Sequence, residues 1–256
     1  MHIRRIAAAI AALAAISCLG CSKSTPPFPN AKIEKITRFS LGSAKMPKLP
    51  PSPSAEQVLG AVKKPYGSFE TVAASYQCIS KGNNSLVPRY TTGTSGELRI
   101  KQPNEALHLA VSSHGRKDVY IVNQGVSYVY DAADRTFSGS RSPAPAIRED
   151  WTVLLAMPSS DKSDTVARLN DAVVGSASCY VVEILQKLGR EGSRVTHLYL
   201  GRSDLLVRRV YVQESGSDQL VRSTYTYSGF VVNAPLSDDL FPKEPPKGAK
   251  GKWTAL

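Results

Sequence analysis

The sequence predicts a mainly β domain with few helices, built on one large curved antiparallel sheet. Three observations lead there. From about Thr71 the apolar period falls to two, the signature of half-buried strands. These short runs are separated by hairpin-length polar turns such as SHGRKD, QG and ESGSDQ, which argue an antiparallel meander. Only two stretches carry helical spacing. A sheet of about ten strands cannot lie flat, so it must curl or close, with the helices covering its open face.

The first element is a targeting segment. Arg4 and Arg5 precede an unbroken apolar run from Ile6 to Ile16, too short to span a bilayer, and small residues then lead into cysteine. This pattern resembles a bacterial lipoprotein signal, in which the residue after the cut is a lipid-modified cysteine. Cys21 is the favoured site, because Gly20 precedes it and the polar SKS follows. Cys18 is the competing position. Residues 1–20 are thus read as the signal peptide. Residues 21–53 are rich in Pro, Ser and Lys, closing on PKLPPSPS, and read as an extended tether.

The net charge of +11 invites a nucleic-acid reading, but its location argues against one. Residues 1–52 carry eight Lys/Arg against Glu34, and residues 243–256 carry four lysines against Glu244. The remaining 20 basic residues face 19 acids, so the folded part is nearly neutral. A basic tether beside a lipid anchor suits an anionic membrane surface; a lysine-rich spacer is the plainer alternative.

Ser54 is placed to cap a helix beginning SAEQVLGAVKK, with Val58, Leu59 and Val62 on one face, Glu56 in the first turn and Pro65 ending or kinking it. The strand-like runs TVAASYQCIS, GELRIK, ALHLAVSS, DVYIVNQ and VSYVYD follow. Leu98 and Ile100 share a face, as do Leu107 and Leu109, and Tyr128 and Tyr130. PAPAIREDWTVLLAM (143–157) then places Trp151, Leu154 and Leu155 at helical spacing. SCYVVEILQ, RVTHLYLG, LLVRRVYVQE and QLVRSTYTYSGFVV complete the sheet.

Catalytic signatures are absent from the sequence. His108, His114 and His197 form no metal-spaced pattern, so no metal or cofactor is expected. SxxK at 159–162 lacks its companion elements and reads as chance. No enzyme is expected. After signal removal Cys78 and Cys179 remain, and a pair of thiols in an exported chain suggests a disulfide. Closing about 100 residues, it would stabilise by roughly 4–5 kcal/mol on the chain-entropy model.

GELRIKQPNEALHL (96–109), QGVSYVYDAADR (124–135) and VNAPLSDDLFPKEPPKGAK (232–250) resemble successive segments of the periplasmic lipoprotein carrier LolA. The resemblance covers residues 54–250, leaving 251–256 as a tail. It implies an incomplete antiparallel β-barrel with an apolar concave face, lidded by helices, that takes up lipid or lipoprotein acyl chains. Leu98, Ile100, Leu107, Leu109, Tyr128, Tyr130, Trp151, Leu154 and Leu155 would line that cavity, although such residues can equally fill a dry core. Gln102 stands where the carrier has the arginine that holds its lid. The lipid anchor is similar to that of LolB, the membrane-bound acceptor of the same fold. Ser22 after Cys21 resembles an outer-membrane sorting signal. The expectation is a monomeric envelope lipoprotein at the outer membrane, facing the periplasm. The alternative is a regulatory protein-binding module resembling RseB, whose large domain has a similar half-barrel.

Overall fold

The computed structural model describes residues 48–83, 90–101, 105–112, 117–141, 164–189, 192–216 and 219–255. The signal peptide, both candidate acylation sites, Gln102 and the helix expected around Trp151, Leu154 and Leu155 lie outside those residues.

Ser54 caps α1 (Ala55–Ser68) as its sequence requires. The hydroxyl accepts from the Gln57 N–H and the Gln57 side chain accepts from the Ser54 N–H, forming a capping box. Val58, Ala61 and Val62 are buried against the sheet. Pro65 does not end the helix, which continues to Ser68. A proline there forfeits its i→i−4 bond and crowds the carbonyl of residue 61, a cost offset by burial of Val58, Ala61, Val62 and the C-cap residue Phe69 against the sheet.

Twelve strands follow among the described residues: β1 (Thr71–Asn83), β2 (Tyr90–Lys101), β3 (Glu105–Ser112), β4 (Lys117–Asn123), β5 (Val126–Asp131), β6 (Thr136–Arg141), β7 (Thr165–Val174), β8 (Ala177–Leu188), β9 (Gly192–Gly201), β10 (Val207–Ser215), β11 (Leu220–Val232) and β12 (Lys250–Ala255). They form one sheet in the order β12-β6-β5-β4-β3-β2-β1-β11-β10-β9-β8-β7. Two antiparallel meanders, β1–β6 and β7–β11, are joined by the long β1–β11 ladder. The two end strands, β12 and β7, do not pair with each other, so the curved sheet remains an open half-barrel.

Three strands depart from the expected set. β6 (TFSGSR) and β7 (TVARLNDAVV) lack the alternation that marks the others. Residues 251–255, read as part of a tail, form most of β12, which pairs parallel to β6. Gly251 and Gly139 permit this approach. A Cβ on Gly251 would collide with the Phe137 carbonyl oxygen, and one on Gly139 would meet a Trp253 ring atom at 2.7 Å.

The sheet buries apolar residues on both faces. On the face that α1 covers, termed the concave face, α1 and Phe69 join Val72, Leu98, Ile100, Tyr180, Val182, Leu198 and Val210 in one cluster. On the opposite face, termed convex, Val119, Ile121, Tyr128 and Tyr130 form a second cluster with Phe241. The C-terminal segment from Asn233 lies over this cluster, and Leu236, Leu240, Ala249 and Trp253 pack against it. The Tyr128 hydroxyl lies 3.1 Å from the carbonyl oxygens of both Pro242 and Glu244, and Lys101 pairs with Asp238.

Candidate functional site

Strand register corrects the expected cavity lining. Leu98 and Ile100 belong to the concave cluster, whereas Tyr128 and Tyr130 belong to the convex one. The reason is the two-residue period acting across paired strands. Leu98 and Tyr120 both register with position 108 of β3, so both lie on the concave side. Leu107 and Leu109 pair instead with Ile121 and Val119, whose other partners are Tyr128 and Tyr130. Leu98 with Ile100 and Tyr128 with Tyr130 each share a side, but the two pairs face opposite ways.

The concave stripe runs from Ile100 and Leu98 on β2 through Val72 and Tyr76 on β1. It continues through Tyr225 and Tyr227 on β11, Val210 on β10 and Leu198 on β9 to Val182 and Ile184 on β8. Tyrosines thicken its middle. Tyr76 lies with its ring centroid 6.4 Å from Tyr225 and 6.1 Å from Tyr227, and Tyr227 is 6.3 Å from Phe230. Burial pushes the Tyr76 and Tyr225 phenols well above the ordinary tyrosine range. These rings were missed as site residues, although Tyr76, Tyr225 and Tyr227 obey the same alternation.

Toward one end the stripe gives way to hydroxyls. Ser80 Oγ and Ser223 Oγ are hydrogen-bonded at 2.8 Å, and Cys78 Sγ lies 3.6 Å from Ser80 Oγ. At the β7–β8 side it ends on Tyr180, flanked by the guanidiniums of Arg168 and Arg202 at 5.0 and 5.1 Å from the ring centroid. Neither arginine was singled out by sequence, because Arg168 interrupts the apolar pattern of β7 and Arg202 lies in a turn.

The expected Cys78–Cys179 bridge is not formed; both cysteines are free and buried. Cys78 sits on β1 and Cys179 on β8, with β11, β10 and β9 between them. Four strand spacings amount to roughly 19 Å along the sheet, against the ~7 Å limit on Cα separation in a disulfide. The side chains also point to opposite faces. Cys78 joins the concave cluster, and Cys179 alternates with the concave residue Tyr180. Burial raises both thiols above the ordinary cysteine range.

His197 stands on the convex side in the register of Tyr211 and Glu183, with Nε2 2.9 Å from the Glu183 carboxylate. Among the described residues no three His, Cys, Asp or Glu side chains gather as a metal site. None of the described helices is long and apolar enough to cross a membrane.

No known family model and no curated protein matches this chain. Several solved structures share a likeness at low identity. A DUF1329 family protein from Desulfovibrio piger is 14% identical, with a TM-score of 0.36, over 73% of this chain and 95% of that one. A LolA superfamily protein from Nitrosomonas europaea is 8% identical, with a TM-score of 0.32, over 75% and 98%. The Pseudomonas aeruginosa MucA/MucB complex structure matches at 12% identity and a TM-score of 0.41, over 73% of this chain and 60% of that one. This chain thus spans less than two thirds of that last match.

Proposed function

We propose that this chain is an envelope lipoprotein, anchored through Cys21 at the outer membrane. It binds acyl chains of lipids or lipoproteins along its concave stripe and serves lipid or lipoprotein trafficking rather than catalysis. One observation carries the reading. The stripe extends over six adjacent strands, β2-β1-β11-β10-β9-β8. Five strand spacings amount to about 24 Å, whereas α1 makes its closest approach to the sheet over β7 and β8, at one end of that span. The described helix therefore sits at one end of the stripe, which supports a face whose remaining cover can exchange with ligand. Each methylene buried there contributes about 0.8 kcal/mol.

Native mass spectrometry of the protein purified without detergent, followed by lipid extraction, tests this reading. Co-purifying lipid is the expected result. Protein that is repeatedly empty and binds no acyl probe overturns it. Capture of a single-pass membrane protein in place of lipid would favour the regulatory alternative.

A further inference from the structure

Arg168 projects from edge strand β7 at the position paired with the concave residue Val182. A register shift between Leu169 and Ala172 marks an irregularity in the same strand. Bulges of this kind re-aim side chains, and here the Asp171 carboxylate meets Arg168 and lies 2.9 Å from Arg202 Nη1. Arg202 is held in place by its backbone N–H, which donates to the Ser178 carbonyl at 2.9 Å. Both guanidiniums pack on Tyr180, whose ring belongs to the concave cluster. Two cations thus share one carboxylate at the rim of an apolar face. Arg168 Nε is buried with no hydrogen-bond partner among the described residues, and the Arg202 side chain is 43% exposed. The neighbouring Arg208 has its own carboxylate, Asp204.

From this geometry we infer that Arg168 and Arg202 form a headgroup subsite for the phosphate of an anionic lipid whose chain lies on the concave stripe. The inference rests on the lipid-binding reading and adds the charge of the ligand to it. Arg168 Nη1 is committed to the carbonyls of Leu169 and Val181, so a phosphate oxygen would accept chiefly from the more exposed Arg202 guanidinium, with the Arg168 Nη2 group beside it, and the half-buried setting strengthens such bonds. Asp171 sets the strength of the subsite by competing for the same donors.

The test uses the mature chain, residues 21–256 with Cys21→Ser, which lacks both the signal segment and the acyl anchor and needs no detergent. Binding of lyso-phosphatidylglycerol is compared with that of a monoacylglycerol of equal chain length, below their micellar concentrations. About a tenfold preference for the anionic lipid is expected, as for one charge-assisted contact. Arg202→Ala should remove the preference, weakening lyso-phosphatidylglycerol binding about tenfold more than monoacylglycerol binding. Asp171→Asn should increase the preference. These opposite signs cannot both arise from misfolding. No preference, or one unchanged in both variants, overturns the subsite while monoacylglycerol binding upholds the parent reading. Failure to bind either lipid overturns both. Inorganic phosphate binding as tightly as the lysolipid would make this a free-anion site and overturn the lipid assignment.

Discussion

Leu98 and Tyr128 are both almost fully buried, at 2% and 1% exposure, on opposite faces of one sheet. They are only three strand spacings apart in the order β2-β3-β4-β5. What separates them is parity. Leu98 shares its side with α1, whereas Tyr128 packs under the returning C-terminal segment, with Trp253 edge-on at 5.9 Å. One sheet therefore carries two separate buried cores back to back.

The two cores should respond differently to truncation. Leu98→Ala or Ile100→Ala should weaken acyl-probe binding and lower stability by about 2–5 kcal/mol. Tyr128→Ala should lower stability by about 3–5 kcal/mol and leave probe affinity of the folded fraction unchanged. Urea melts beside probe titrations separate these outcomes. A selective binding defect in Tyr128→Ala would reverse the assignment of faces.

Thiol titration of the denatured, unreduced domain should find both Cys78 and Cys179 free. In the native state the two should react slowly, because they are buried and their thiols are held protonated. Absence of titratable thiol would show that the chain rearranges to bridge them.

The sequence made the strand alternation legible because each stripe is local. The Ser54 cap and the apolar face of α1 were legible for the same reason. Which stripes share a side was not, because that depends on ladder register accumulated from strand to strand. Residues 105–109 show the problem, where the QPNE turn reads plainly as a hairpin but does not reveal that Leu107 pairs with Arg99 rather than Leu98. β12 was illegible for another reason. KGKWTA has one large apolar residue, and its strand state comes from parallel pairing with β6. Arg168, Arg202 and Asp171 meet only through the irregularity in β7 and a turn 31 residues later.

Alkaline pH should unfold the domain progressively. Burial raises the folded-state pKa of Cys78, Cys179, Tyr76, Tyr120, Tyr128 and Tyr225. A group raised in the folded state keeps its proton there after the unfolded chain has lost it. Stability is therefore full below the unfolded pKa values, about 8.5 for Cys and about 10 for Tyr, and falls as pH rises above them. Each such group contributes a slope of up to about 1.4 kcal/mol per pH unit. Tyr76→Phe with Tyr225→Phe should make the loss shallower. Denaturation midpoints that stay flat to pH 11 would contradict the burial of these phenols.

Labelled palmitate should enter the wild-type protein in cells, and Cys21→Ser should abolish its incorporation. Loss in Cys18→Ser instead would move the anchor three residues upstream. Incorporation persisting in the double variant would rule out both.

Docking of β12 should be the domain's second point of failure. It protects the edge of β6, which would otherwise present unpaired backbone groups to other chains. Trp253 holds it there, with Phe137 at 5.2 Å and the Arg141 guanidinium 4.4 Å from its ring. Gly251→Ala would drive a methyl group into the Phe137 carbonyl, so the strand must lift or shift. Gly251→Ala and Trp253→Ala should each lower stability by about 1–4 kcal/mol and promote concentration-dependent association through the uncovered edge. Because the concave stripe lies on the other face, acyl-probe affinity per folded monomer should be retained. Light scattering with urea melts reads both effects. A Gly251→Ala protein that is as stable and as monomeric as wild type would mean that β12 does not guard that edge.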